Sequence, residues 1–283
     1  MRILLLTAAV AGCSLGPHDT PGPYVTCHNS NCAHSDPVRD DTLDALGESL
    51  ALELEGRATI DGTEIDLIWE PGGQRCVFEH DHVDAAGAPD ASVPVAVLAA
   101  HLRDRRELAA WNGERFYLKF ELKPGAAPDE RQLSPREMET LADCALARSV
   151  EVQAAADDAG LALTVMYESQ DIMLLRVLRD RPGWRSDLAG RQGARQLAVN
   201  VYRDVRGLED DVGVVTLGWW EVRDGDYTRF QDAKADGVDL MMGGFDATEK
   251  ALGSYEDVSP TYINTNEAPL VRRWAAEHYA RAR

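Results

Sequence analysis

From Thr63 to Ile68 polar and apolar side chains alternate, the period of two that marks a strand. Residues two apart on a strand share a face, so Glu64 and Asp66 project together while Ile65 and Leu67 face the other way. After a Pro71-Gly72-Gly73 turn, the apolar run Cys76-Val77-Phe78 ends in Glu79-His80-Asp81-His82. Tyr24–Cys27 predicts a short strand with His28 and Asn29 at its end. Arg115–Lys123 is the clearest strand, closed by Pro124, with Glu121 and Lys123 on one face and Phe120 and Leu122 on the other. Further strands are predicted at Leu161–Tyr167, weakly near Trp184–Leu188, and at Gln196–Tyr202, Gly213–Val222 and Gly237–Met242.

Between them the apolar spacing turns helical. Asp41–Leu54 has an acidic first turn suited to the helix dipole. Pro94–Leu108, Asp171–Leu178 and Asp226–Ala235 follow the same period, and Ser134–Gly160 opens on a Ser134-Pro135 cap. Strands alternating with helices mean βα units and a parallel sheet. Eight strand candidates over this length point to a single-domain α/β fold, a (β/α)₈ TIM barrel. An open doubly wound sheet is the alternative, but no G-x-G-x-x-G follows any strand. On the barrel reading His28, Glu64–Asp66, Glu121–Lys123, Ser169 and Trp220 all sit at or near the C-terminal ends of strand candidates, the face where barrel enzymes keep their sites.

Composition agrees with one domain behind a leader. The chain has 283 residues, is 45% hydrophobic and carries a formal charge of −19. That charge, with no basic stripe, argues against a nucleic-acid partner and against adsorption to anionic lipid, and it suits a protein that binds cations. Met1-Arg2 and the apolar Ile3–Val10 are too short to span a bilayer as a permanent helix. Val10-Ala11-Gly12-Cys13 resembles a bacterial lipobox; an ordinary secretory signal is the alternative. The expected organisation is a signal peptide over residues 1–12, a lipidated Cys13 and tether over 13–23, and the barrel over 24–283. The expected location is the cell envelope, outside the cytoplasm and anchored to membrane by lipid.

Setting Cys13 aside, Cys27, Cys32, Cys76 and Cys144 form an even set, which outside the cytoplasm suggests disulfides. Cys27 and Cys32 are near enough in sequence to close a small loop. A zinc site from Cys27, His28, Cys32 and His34 is the rival, although its spacing is not that of a usual zinc motif.

Two carboxylates on one face repel and are costly to bury unpaired. A hard divalent cation with oxygen ligands, Mg²⁺ or Ca²⁺, removes that cost. A histidine pair close in sequence adds acid/base chemistry. The plain alternative is an exposed edge strand with solvated charges and a polar loop.

These residues resemble, in order, the glycerophosphodiester phosphodiesterase family within the wider group of barrel phospholipases. His28-Asn29-Ser30 stands where the family has H-R-G, and Asp40-Asp41-Thr42-Leu43 where it has E-N-T-L. Glu64-Ile65-Asp66 matches its E-x-D, His80-Asp81 its H-D, and Glu121-Leu122-Lys123 its E-x-K. A late strand ending in Trp220 and the final Gly237-Val238-Asp239 complete the set. The resemblance implies a barrel phosphodiesterase with one Mg²⁺ or Ca²⁺ on Glu64, Asp66 and Glu121. It implies Lys123 and Asn29 at the substrate phosphate, and His28 and His80 as general acid and base. His82 is the alternative to His80, Trp219 and Trp220 serve packing or substrate contact, and Ser169 is structural.

Asn29 replaces the family arginine, the motif glycine is absent and Asp41 replaces asparagine. His28-Asn29-Ser30 is nearer to phosphatidylinositol-specific phospholipase C, and the Glu64–Asp66 pair with Phe120-Glu121-Leu122-Lys123 also resembles spider-venom-type sphingomyelinase D. The expected partners are a small phosphodiester or phospholipid headgroup and, through the anchor, a membrane; the expected state is a monomer. A catalytically dead lipid- or sugar-binding lipoprotein on the same barrel is the reading from a different class.

Overall fold

The computed structural model describes residues 22–33, 36–81, 86–104, 115–127, 130–186, 195–199, 205–218, 233–244, 252–253 and 258–279. Twelve strands are described: β1 Tyr24–Cys27, β2 Glu53–Leu54, β3 Arg57–Ala58, β4 Gly62–Glu70, β5 Arg75–Phe78, β6 Arg115–Ala126, β7 Arg131–Gln132, β8 Ala162–Glu168, β9 Arg195–Val199, β10 Val212–Gly218, β11 Asp239–Gly244 and β12 Tyr262–Thr265. The α-helices are α1 Leu43–Leu50, α2 Ser92–Asp104, α3 Pro135–Ala159, α4 Ile172–Asp180, α5 Pro182–Ser186 and α6 Ala268–His278.

Eight strands pair in parallel around a closed ring, β1-β4-β6-β8-β9-β10-β11-β12 and back to β1. The fold is a (β/α)₈ barrel. β5 and β7 are antiparallel additions that extend β4 and β6 beyond the ring.

The alternation of side chains sorts the barrel into two environments. Outward residues of the strands, Ile65, Leu67, Leu118, Phe120, Leu122, Val165 and Tyr167, join the core that also holds Leu98, Leu102, Leu141 and Ala145 of α2 and α3. Inward residues of six strands and β1 fill the barrel floor: Tyr24, Tyr117, Met166, Ala198, Val214, Met241 and Tyr262. The rings of Tyr24 and Tyr117 lie 4.5 Å apart and those of Tyr117 and Tyr262 5.0 Å apart, so three aromatics close the floor. At the base of β4 a Cβ on Gly62 would collide with the Tyr117 carbonyl oxygen; only glycine lets β4 and β6 approach there.

The local sequence explains the elements. Ser134 Oγ accepts from the Glu137 amide while Glu137 Oε2 accepts from the Ser134 amide, a reciprocal cap, and Pro135 takes the first helical position. Gly160 ends α3 at φ +71°, the left-handed conformation glycine adopts without steric cost. Cys76 of β5 is joined to Cys144 of α3, and Cys27 of β1 to Cys32 just beyond it. That second pairing removes the thiolates a zinc site on Cys27 and Cys32 would need.

Several boundaries differ from expectation. The helix expected over Asp41–Leu54 spans only Leu43–Leu50, with Thr42 as its cap, and Glu53–Leu54 turns into a small hairpin with Arg57–Ala58. Pro124 does not close β6: past the end of the ring it occupies a site where no ladder donor is needed, and the strand continues to Ala126. The strand expected near Trp184 is the short helix α5, because Pro182 presets the first helical φ and the Trp184 amide donates to the Arg181 carbonyl. The eighth barrel strand is instead β12, Tyr262-Ile263-Asn264-Thr265, whose short run carries too little alternation to register as a strand. Cys13, His82, Trp219 and Trp220 lie outside the described residues, as does most of the tether and of the helix expected over Asp226–Ala235.

Candidate active site

β4 and β6 build the centre of the site. Their register sets Glu64 beside Lys119 and Asp66 beside Glu121, and β8 adds Glu168 beside Glu121. Glu64, Asp66, Lys119, Glu121, Lys123 and Glu168 are all inward positions of period two. One oxygen of each of Glu64, Asp66 and Glu121 lies within 4.8 Å of the others. Glu64 and Asp66 are completely buried.

The lysines answer these charges. Lys119 Nζ is 2.8 Å from Glu64 Oε1 and 2.6 Å from Glu168 Oε2. Lys123 Nζ is 2.8 Å from both Asp66 Oδ2 and Glu121 Oε1. Burial alone pushes the Glu64 carboxyl up, but the charges of Lys119 and His28 outweigh it and hold the group well below the usual carboxylate range. For Asp66 burial wins: Lys123 offsets it only in part, Glu121 and Glu64 repel, and the carboxyl is pushed up to about 7. Burial disfavours the Lys119 ammonium, yet Glu168 and Glu64 raise it well above an ordinary lysine.

Two histidines flank the carboxylates. His28 follows β1, and its Nδ1 lies 2.7 Å from Asn266 Oδ1 beyond β12. With that amide orientation the acceptor oxygen assigns the ring proton to Nδ1 and leaves Nε2 as the basic nitrogen. Burial lowers the His28 pKa despite the opposing pull of Glu64, which favours the neutral base. His80 follows β5, with Nε2 4.0 Å from Asp66 Oδ2 and Nδ1 2.9 Å from Asp81 Oδ1.

Asn29 holds the turn after His28 in the left-handed region, φ +47°, and its amide points to Glu64 Oε2 at 3.4 Å. Its Nδ2 donates to Asp40 Oδ2 at 3.0 Å. Ser169 Oγ donates to the Leu122 carbonyl at 2.7 Å and accepts from the Asp171 amide, a structural bond between β6 and the loop before α4.

The sequence reading did not single out Lys119, Glu168, Asn264 or Asn266. Asn264 Nδ2 donates to Glu64 Oε2 at 2.7 Å. Lys119 is within reach of the same period-two rule that places Glu121 and Lys123; Asn264 on β12 and Asn266 just beyond it are not, because that strand carries too little alternation to be read. Asp41 is not part of a helix's first turn. It precedes the cap, is 4% exposed and feels Asp66, Lys123 and Glu64.

The residues fit a divalent cation. Both Asp66 oxygens and Glu64 Oε1 accept no well-directed hydrogen bond among the described residues, despite the nearby ammonium groups. Five buried or half-buried carboxyl groups, Asp41, Glu64, Asp66, Glu121 and Glu168, face two ammonium groups, so the acids outnumber their fixed cations and burial raises the pKa of Asp41, Asp66 and Glu168 in the absence of a further cation. Oxygen donors in this number suit Mg²⁺ or Ca²⁺ rather than a softer metal.

No family model and no curated protein matches the chain. Solved structures do. A protein of Silicibacter pomeroyi assigned as a glycerophosphoryl diester phosphodiesterase aligns at a TM-score of 0.58 with 12% identity, over 93% of this chain and 96% of that one. An Oleispira antarctica phosphodiesterase, solved with the product sn-glycerol-3-phosphate, aligns at 0.54 with 16% identity, over 90% and 97%. A calcium-dependent phosphoinositol-specific phospholipase C from a Pseudomonas species aligns at 0.50 with 14% identity, over 93% and 95%. At these identities the likeness establishes the shared barrel.

Proposed function

We propose that the chain is a metal-dependent phosphodiesterase that hydrolyses glycerophosphodiesters or related phospholipid headgroup diesters. One observation carries this reading: three carboxylates close enough to share an ion meet two lysines and two flanking histidines at one mouth of a barrel. A phosphodiester is anionic, and its hydrolysis requires charge neutralisation as charge builds on the oxygens. Glu64, Asp66 and Glu121 would hold one Mg²⁺ or Ca²⁺, which supplies Lewis acidity and charge at the phosphate. Lys123 holds a fixed positive charge beside Asp66 and Glu121, available to a phosphate oxygen. Asn29, at the turn after His28, offers a second polar contact. His28, kept neutral with its proton on Nδ1, takes the proton of the attacking hydroxyl at Nε2. His80, exposed to solvent on one side, returns a proton to the leaving oxygen. Lys119, itself held by Glu168, keeps Glu64 ionised and in place.

The named activities of the barrel's structural neighbours support a small phosphodiester as substrate. The lipobox-like Val10-Ala11-Gly12-Cys13 and the two disulfides support an envelope location with Cys13 as lipid anchor. Among the described residues no helix is long and apolar enough to cross a membrane. Stripping the protein with chelator and adding back Mg²⁺ or Ca²⁺ during hydrolysis of a glycerophosphodiester tests the activity. Unchanged membrane fractionation of Cys13→Ser would rule out the anchor.

A further inference from the structure

Four residues separate Cys27 from Cys32, and they include the proposed base, His28. Behind it the chain turns through Asn29 and Ser30, both in the left-handed region at φ +47° and +55°. Two consecutive non-glycine residues in that region are strained, and such a turn persists only where its surroundings over-determine it. Polar bonds supply part of that restraint. The Ser30 hydroxyl donates to the Glu64 carbonyl at 2.6 Å and the Asp41 amide to the Asn29 carbonyl at 2.9 Å. The side-chain amides of Asn29 and Asn31 donate to the two carboxyl oxygens of Asp40.

The disulfide closes this turn at its base. Cys27 is the last residue of β1, in register with Thr63 of β4 and Thr265 of β12. The Cys32 amide donates to Ser49 Oγ of α1 at 3.0 Å. Both cysteines are completely buried. The crosslink therefore fastens the exit of the turn to the barrel strand from which the turn leaves.

Its place in the chain points to local geometry more than to bulk stability. A crosslink restrains the unfolded chain less, the shorter the loop it closes. Cys76 and Cys144 lie 68 positions apart and join β5 to α3, whereas Cys27 and Cys32 lie five apart and restrain little besides the His28 turn. His28 has to meet Asn266 at 2.7 Å while its other ring nitrogen serves the carboxylate cluster. A base is effective only in alignment, and about 1 Å of misplacement lowers a rate by about 10²-fold.

We propose that Cys27–Cys32 is a positioning disulfide for His28, so that turnover is conditional on oxidation of this pair. The inference rests on the phosphodiesterase reading and adds a redox requirement to the same site. As two thiols the pair releases the base of the turn, the left-handed residues relax, and His28 leaves its alignment in a chain that stays folded. Oxidation proceeds by thiol–disulfide exchange with a disulfide oxidant. One cysteine attacks the oxidant as its thiolate, the second cysteine displaces the resulting mixed disulfide, and the oxidant leaves as two thiols carrying the two electrons and two protons. In a reducing compartment the barrel is idle, and it becomes active where disulfides form.

The full chain carrying Cys76→Ala and Cys144→Ala isolates this couple from the other disulfide. It is produced in dithiothreitol and then exposed to oxidised glutathione, and the oxidised fraction of Cys27–Cys32 is read by alkylation and peptide mass spectrometry. In hydrolysis of a glycerophosphodiester, kcat should rise with that fraction by about 10²-fold, with KM and the Kd for Mg²⁺ or Ca²⁺ nearly constant. The complementary Cys27→Ala, Cys32→Ala chain should show the same loss of kcat, no response to glutathione, and a smaller fall in Tm than the first double variant. If the first double variant does not fold, the wild type is titrated in the same way with both pairs followed by peptide mapping. Hydrogen exchange adds a readout independent of activity: reduction should speed exchange over residues 28–33 and leave α3 protected. A kcat that ignores the oxidation state would overturn the positioning role, and so would a fall in kcat matched by equal losses of metal binding and of Tm. Exchange over 28–33 that does not respond to reduction would overturn it as well. Turnover in neither form, with exchange responding there alone, would instead overturn the phosphodiesterase reading and leave the clamp on the His28 turn standing.

Discussion

Lys119 bridges two buried carboxylates, Glu64 and Glu168, from the middle of β6. Replacing it by methionine keeps the volume but leaves both acids without their counter-ion, and such a loss costs about 3–5 kcal/mol. The Tm of Lys119→Met should fall accordingly in chelator and recover in part with Mg²⁺ or Ca²⁺, since the ion takes over the charge on Glu64. A Tm equal to wild type in chelator would refute this role. Asp66 makes a separate demand. Its folded-state pKa, near 7, lies above the usual 3.8, so the folded protein binds more protons than the unfolded chain between those values. Its contribution to stability is then lost as pH rises through that window. In chelator, Asp66→Asn should gain on the wild type from pH about 4 to about 7 and level off above, readable as a difference in Tm. A constant difference across that range would contradict the assignment. His28→Ala and His80→Ala should lower turnover by about 10²–10⁴-fold with metal affinity kept. Glu121→Gln should weaken metal binding and be partly rescued by excess metal. Near-normal turnover in both histidine variants would end the two-histidine mechanism. At this scale the charged positions were legible where a strict period of two carried them: Glu64 with Asp66, and Glu121 with Lys123. Their partners were less so. Lys119 obeys the same period, but pairing across strands depends on register, which one strand's pattern does not contain. Asp41 reads as a helix-start residue until its burial is seen.

The elements were legible in proportion to their length and their capping. α3, with twenty-five residues, announces both ends through Ser134-Pro135 and Gly160. Ser134→Ala should remove the reciprocal cap and cost about 1 kcal/mol of stability with hydrolysis unchanged, as judged by denaturant unfolding. Loss of activity without loss of stability would contradict that purely structural role. β12 shows the opposite limit. It has four residues, and its inward Asn264 serves Glu64 rather than an apolar interior. A strand whose polar residue is functional weakens its own hydrophobic signature. Near Trp184 the apolar side chains suggested a strand, while Pro182 and the turn at Arg181 decided for a helix.

At the scale of the molecule, the alternation of strand and helix was enough to specify a barrel, and the structure closes it with eight parallel strands. The count was right with one member exchanged, β12 for the stretch near Trp184. What no local pattern supplies is the closure itself, by which β4 and β6 pair and bring Asp66 beside Glu121. The −19 charge takes on meaning in that setting: part of it is concentrated at one mouth, where buried acids outnumber their lysines. The central claim is that this mouth hydrolyses a phosphodiester through an ion on Glu64, Asp66 and Glu121. The most direct measurement is a titration of Mg²⁺ or Ca²⁺ into chelator-treated protein while glycerophosphodiester hydrolysis is followed. The account predicts no turnover before addition, a rise that saturates at one ion per chain, and a curve displaced to higher metal in Glu121→Gln. Equal turnover with and without metal, or none with either ion on any glycerophosphodiester, would contradict it.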